Sequence, residues 1–271
     1  MLPEPSDPFN ELYDANYFLS CCGGFREFAE RHGESLIPRL QRALELGAPK
    51  IDERILDLGC GRGELAYHLS KRGIQVTVLD LSFEALRIAS TLSQKNGHND
   101  KPFQLINADC MSLPFGENQF HLIFLTDVIE HLPSSRVKTV LSEIKRILRP
   151  GGRLIIHTVP NNLYLNVGYP FLRRVLRFGN GIKLAKEVRT PQEKLRHVNE
   201  QNVYKLRRML RLAGFDYNIQ FEEGCLDSPY LEPFFKTKIG RLVERLAKSR
   251  ILKPFFTIGL YACATPKSKV L

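Results

Sequence analysis

The chain has 271 residues, 43% of them hydrophobic, and a formal charge of +10. That allows one large domain with its own core, and the acidic start with no apolar stretch excludes a secretory signal. The longest apolar run, Phe255 to Ala264, is too short for a bilayer that needs about 20 residues. The six cysteines show no paired CxxC and no Cys/His metal spacing, so no metal site and no disulfide framework are expected, only free thiols in the cytoplasm.

The first 50 residues read as a helical preface, with SLIPRLQRALELG its clearest helix and loose, proline-rich residues before it. From Glu53 the chain alternates apolar strand runs with helical patterns. RILDLG is a strand and GELAYHLSKRG a helix stopped by Gly73. IQVTVLDLS is a strand leading, through Ser82 as N-cap, into the helix FEALRIASTLSQKNG. PFQLINAD is the third strand and FHLIFLT the fourth. A helix capped by Ser134 or Ser135 ends at Pro150-Gly151-Gly152, and RLIIHTVP is the fifth strand. NEQNVYKLRRMLRLAGF is a helix, FDYNIQFEE a strand, and FFTIGLYACAT closes the chain. Strands separated by helices of this length predict parallel β-α-β units and a doubly wound α/β sheet.

The glycines of Asp57-Leu58-Gly59-Cys60-Gly61-Arg62-Gly63 sit between a strand and a helix. A dinucleotide fingerprint would place a third glycine at position 64, where this chain has Glu64; a carboxylate facing a pyrophosphate disfavours NAD or FAD. Asp80 ends the second strand, where an acid can take both hydroxyls of a ribose, and Leu81 can lie on an adenine face. Asp109 follows the third strand, where it can accept the adenine amine, with Cys110 next and Met111 as apolar wall. All lie at the carboxyl ends of strands, where such sheets bind ligands.

ILDLGCGRGELA, VTVLDLS, NADCMSLPF, FHLIFLTDVIEHL and ILRPGGRLIIHTVPN resemble, in order, the motifs of class I S-adenosylmethionine-dependent methyltransferases. The similarity is greatest to the small-molecule branch that holds the ubiquinone-biosynthesis type, and it spans Ile51 to Pro160. The resemblance implies a seven-stranded Rossmann-like methyltransferase sheet, mostly parallel with the last strand antiparallel. It implies S-adenosyl-L-methionine as cofactor. Gly59, Cys60, Gly61 and Gly63 would admit its methionine part and Asp57 would lie near its ammonium. Asp80 and Leu81 would hold the ribose and adenine, with Asp109, Cys110 and Met111, while Leu125, Thr126 and Asp127 would line the floor.

Methyl transfer from a sulfonium needs alignment first, and a general base when the acceptor is a hydroxyl or an acidic carbon. Asp127, Glu130 and His131 are the candidates. His131 leads because its ordinary pKa is near neutrality, and packing at a helix end is its bland alternative. His157, inside strand five, is expected in the core. His197 is a candidate for the pocket, as are Tyr13, Tyr17 and Phe18 on the preface, which in similar enzymes folds over the cofactor as a lid.

Two segments break the alternation and carry the charge. Asn161 to Leu195 holds seven Lys/Arg against two Glu, and Lys236 to Lys253 seven against one. They read as insertions, at about 161–195 and 224–255, in a domain of 51–271 behind a lid of 1–50. In both, apolar residues recur at helical spacing among bases. They are read as a roof over the acceptor site, as peripheral contact with the inner membrane surface, or as a dock for an acidic partner. Nucleic acid is disfavoured because no aromatics interleave the basic face. The expected enzyme methylates a small or lipid-like metabolite, at oxygen before carbon or nitrogen. The rivals are an RNA or protein methyltransferase and a non-catalytic cofactor-binding partner.

Overall fold

Three apolar residues and one acid, Asp57, make up ILDL, Ile55–Leu58, which forms strand β1, buried end to end at the centre of a sheet. In this computed structural model, residues 12–95, 103–180, 183–222 and 232–267 are described. The proline-rich start, the end of the tail and residues 223–231 of the second insertion lie outside them. Among the described residues, a π-helical turn (Tyr17–Cys21) and two α-helices, α1 (Phe25–Arg31) and α2 (Pro38–Gly47), precede β1. After β1 come α3 (Glu64–Ser70), β2 (Val76–Asp80), α4 (Phe83–Lys95), β3 (Gln104–Asn107) and β4 (Phe120–Thr126). Then follow α5 (Ser134–Ile147), β5 (Leu148–Thr158), α6 (Tyr169–Asn180), α7 (Pro191–Arg196) and α8 (Val203–Leu212). β6 (Phe215–Phe221), the short α9 (Glu232–Phe235), α10 (Lys238–Ala247) and β7 (Leu260–Pro266) complete the order.

The seven strands lie in the order β3-β2-β1-β4-β5-β7-β6. β7 runs antiparallel to both of its neighbours, while the pairs from β3 to β5 are parallel. The order in which strands are added reverses between the parallel strands β1 and β4, so a crevice opens at their carboxyl ends. One core, containing Leu56, Phe120, Ile123 and Ile156, lies under α5 and α8. A second, with Ile55, Val78, Leu122 and Phe124, lies under α2, α3 and α4.

Three details differ from the sequence reading. The preface divides: α2 packs Ala43 and Leu44 into the second core, while its Arg39 and Leu40 join the segment before α1 on the crevice wall. Neither Ser134 nor Ser135 caps α5, because Pro133 is at the cap position and the Ser134 hydroxyl donates to Asn199 Oδ1 at 2.8 Å. Strand five also begins earlier, at Leu148, because Pro150-Gly151-Gly152 forms an irregularity within the strand and not only a helix stop.

The two insertions share a core of their own. Leu172 and Leu176 of α6 pack with Phe234, Val243, Ala247 and Phe256. Among the described residues, no side chain of α6, α9 or α10 lines the crevice, whereas Leu195 at the end of the first insertion does.

Candidate active site

The glycine loop is held by backbone. The Gly59 amide donates to the Leu79 carbonyl at 2.7 Å, and Gly63 turns the chain into α3 at φ +79°. A Cβ on Gly63 would lie 2.7 Å from Ala89 Cβ and 3.1 Å from its Cα. One on Gly61, at φ +51°, would meet nothing nearer than Phe18 at 3.8 Å. Gly63→Ala is therefore expected to cost more stability than Gly61→Ala by about 2 kcal/mol, since only the first adds overpacking to backbone strain. Thermal unfolding of the two variants decides it; equal losses would mean that the close approach of α3 and α4 is unimportant.

A cavity of about 390 Å³ opens over this loop. Its wall takes Gly59, Cys60 and Gly61 from the loop, Asp80 and Leu81 from the end of β2, and Asp109, Cys110 and Met111 after β3. Thr126, Asp127 and His131 come from β4 and the turn behind it, and Tyr13, Tyr17 and Phe18 from the N-terminal segment. Asp80 accepts the amides of Gly61 at 3.0 Å and Ser82 at 2.9 Å, one on each oxygen. Burial raises its pKa against those bonds. Asp109 accepts the Met111 amide at 2.9 Å, forming a local turn while still facing the cavity.

Asp57, Gly63, Leu125, Glu130 and His197, named from sequence, are not on that wall. Gly63 and Leu125 pack inward. Asp57 lies behind the loop, buried, with neither oxygen hydrogen-bonded. Burial, then the nearby Asp80 and Glu64, raises its pKa to about 7. Such an orphan carboxylate fits a cationic group delivered to the loop.

The three candidate bases separate by environment. Asp127 adopts a left-handed φ of +56°. Its Oδ2 accepts from Arg39 Nε at 2.6 Å, and its Oδ1 pairs with His157 Nδ1. Burial would raise its pKa, but Arg39 and His157 outweigh it and hold the carboxylate charged. Both oxygens are committed to these partners. Glu130 is fully buried and accepts the Thr158 hydroxyl at 2.9 Å; burial and then Asp127 raise its pKa to about 8, which keeps it protonated at neutrality. His131 reaches the cavity. Its Nδ1 lies 3.0 Å from the Tyr13 hydroxyl and 3.3 Å from the Arg196 carbonyl, and its ring meets His197 edge-on at 4.8 Å. Burial, then His197, lowers its pKa to about 4.

His157 is in the core as expected, but it is not inert there. Burial lowers its pKa, yet Asp127 and Glu222 prevail and raise it to about 9. Although no metal site is expected from spacing, donor atoms of Glu130, His131 and His197 lie within 4.8 Å of one another. Two imidazoles and a carboxylate suit a borderline cation. Here Glu130 instead binds Thr158 and His131 faces Tyr13.

The sequence reading misses the arginines. Arg62, between two of the glycines, is buried and donates to the Phe18 carbonyl at 2.9 Å and the Gly23 carbonyl at 3.0 Å. Arg196 donates to the Leu12 carbonyl at 2.9 Å and lies over the Tyr17 ring at 4.5 Å. Together they strap the N-terminal segment across the cavity. A non-glycine inside a glycine loop is the only signal in the sequence.

A family profile described as a methyltransferase domain matches residues 56–156. The ubiquinone biosynthesis O-methyltransferase of Aeromonas salmonicida is 30% identical over 193 residues, 69% of this chain and 78% of that protein. The chain belongs to the class I S-adenosylmethionine-dependent methyltransferases. The sterol 24-C-methyltransferase ERG6B of Gibberella zeae is 35% identical over 100 residues, but the match spans only 36% of this chain and 26% of that protein. In fold the methyltransferase chain is similar to phosphoethanolamine N-methyltransferase 2 of Haemonchus contortus, solved with S-adenosyl-L-methionine. That match has a TM-score of 0.60 at 18% identity and covers 94% of this chain and 60% of the other. Relatives of the methyltransferase thus include enzymes named for O- and for C-methylation. Among its described residues, no helix is long and apolar enough to cross a membrane.

Proposed function

We propose that this methyltransferase moves the methyl group of S-adenosylmethionine to a hydroxyl of a small or lipid-like metabolite, with His131 as general base. The observation that carries the reading is one cavity shared by two sets of residues. The glycine loop, Asp80 and Asp109, read as the donor residues, line it together with His131, Tyr13 and Arg196, read as the acceptor residues. The donor brings a leaving group that needs no further activation, so the protein's task is alignment and removal of water. Gly59 and Gly61 would admit the methionine part, Asp57 would face its ammonium from behind the loop, and Asp80 and Asp109 would take the ribose hydroxyls and the adenine amine. Tyr13, Tyr17 and Phe18, strapped down by Arg62 and Arg196, would close the cavity.

On the acceptor side, an imidazole whose Nδ1 proton is on the Arg196 carbonyl leaves Nε2 as the atom that takes the hydroxyl proton. Leu195, Val198 and Leu132 supply apolar wall, which suits an uncharged, partly hydrophobic acceptor. The test is incubation of the protein with methyl-labelled S-adenosylmethionine and a lysate of its source, separated into organic-extractable, aqueous small-molecule, RNA and protein fractions. Label is expected in the organic fraction, in a bond stable to mild base as an ether is. Label in RNA or protein would overturn the reading, as would label on carbon or nitrogen for the choice of atom.

A further inference from the structure

α10 has more apolar surface than its packing uses. Thr237 caps it by accepting the Gly240 amide at 2.9 Å. Gly240 lets the helix close on the carbonyl of Phe234, where a Cβ would come within 1.9 Å. Gly240, Val243 and Ala247 are buried against the satellite core formed with α6. On a helix advancing about 100° per residue, these three share one narrow arc. Ile239, Leu242 and Leu246 fall on the adjacent arc, and they are 60%, 57% and 47% exposed. Ile251, just past the helix, is 83% exposed. Beyond that second stripe come Lys238, Arg241, Arg245 and Lys248, all exposed, with Lys236 and Arg250 at the two ends. Glu244, paired with Lys248 at 2.7 Å, is the only acid from Lys236 to Lys253.

Ordinary packing on a domain accounts for one apolar face, and α10 has already spent it. We propose that the second stripe is a docking surface for an anionic phospholipid bilayer, with Ile239, Leu242, Leu246 and Ile251 entering the acyl boundary and the flanking bases meeting lipid phosphates. Two further points favour that occupant. A second copy docked by two-fold symmetry would bring both sets of bases against each other at the rim of the contact. A nucleic acid would satisfy the bases but leave four aliphatic side chains with nothing to bury them. The satellite lies off the cavity wall, so the surface is available whatever the acceptor, and the proposal stands apart from the assignment of His131.

The experiment is co-sedimentation of the full chain with phosphatidylcholine vesicles, with and without phosphatidylglycerol, at low and high salt. Binding is expected to be at least about tenfold stronger to the anionic vesicles and to fall with salt, because exposed charges are screened. Leu242→Gln with Leu246→Gln should weaken it about tenfold by removing the apolar contact. Arg241→Gln with Arg245→Gln, two of the six bases, should remove about a third of the salt dependence. Both double variants should retain the parent affinity for S-adenosylmethionine, which shows that the fold is intact. Equal binding to neutral and anionic vesicles, or leucine variants that bind like the parent, would overturn the proposal. So would dimerisation abolished by the leucine changes, or RNA displacing the protein from vesicles while binding the leucine variants undiminished.

Discussion

Replacing His131 by alanine is expected to lower kcat for methyl transfer by about a hundredfold or more, the usual effect of deleting a positioned general base. Affinity for S-adenosylmethionine should stay within a few-fold, because Asp80, Asp109 and the glycine loop are untouched. The pH dependence sharpens the test. An ordinary histidine titrates near 6.5, but burial and His197 lower His131 to about 4. The base form is the neutral one, so the rate should hold as pH falls below 6.5 and drop only as it passes through about 4. An acid limb of kcat near 6.5, or an alanine variant with the parent kcat, would take the proton transfer away from His131. The lowered pKa has a chemical cost, since the imidazole is a weaker base than a free one. It also has a benefit: at pH 7 essentially every molecule carries it unprotonated, beside a donor whose sulfonium is already positive.

The sheet and the glycine loop were legible because their signals are local. β1 and β2 are continuous apolar runs ending in Asp57-Leu58-Gly59 and in Asp80, and a parallel strand buried on both faces has no other way to look. The same locality placed Asp80, Asp109 and His131 on one rim, since strand ends in such a sheet converge. What could not be read was which side chain each group would meet across the fold. Asp127 looks like a free acid in TDVIEH, yet Arg39, 88 residues earlier in the chain, and His157, 30 residues later, occupy its two oxygens. Glu130 looks like its equal and is instead buried against Thr158. Helical periodicity on α6 and α10 gave the apolar faces but not their partners, so the insertions looked able to roof the cavity. Their helices α6 and α10 pack on each other, while Leu195 at the end of the first insertion and a short N-terminal segment held by arginines that no periodicity marks line the cavity.

Of those arginines, Arg62 should be the costliest to remove. It donates to the Phe18, Cys22 and Gly23 carbonyls and contacts Glu64 Oε2 through Nε at 2.9 Å and Nη2 at 2.8 Å. It also lies over the Phe28 ring at 5.0 Å. Arg62→Met keeps most of the volume but leaves the buried Glu64 without its counter-charge, a loss of about 3–5 kcal/mol. For a domain of this size that lowers Tm by roughly 10 °C. Burial already raises the Glu64 pKa, and Arg62 opposes it; without Arg62 it rises further. A carboxyl whose folded pKa lies above its unfolded value destabilises the fold where it must ionise. The penalty of Arg62→Met should therefore shrink as pH falls toward 4.5 and grow above it. Adding Glu64→Gln removes the stranded charge and should recover a large part of the lost stability, a coupling that a double-mutant cycle reads directly. It should not recover the strap. In both variants the segment around Phe18 loses its anchor on the glycine loop, so limited proteolysis before α1 should accelerate and affinity for S-adenosylmethionine should fall together. An Arg62→Met protein with the parent Tm and the parent cleavage pattern would show that the loop and the lid are held independently. If the double variant regained cofactor affinity along with stability, Arg62 would be serving only to neutralise Glu64.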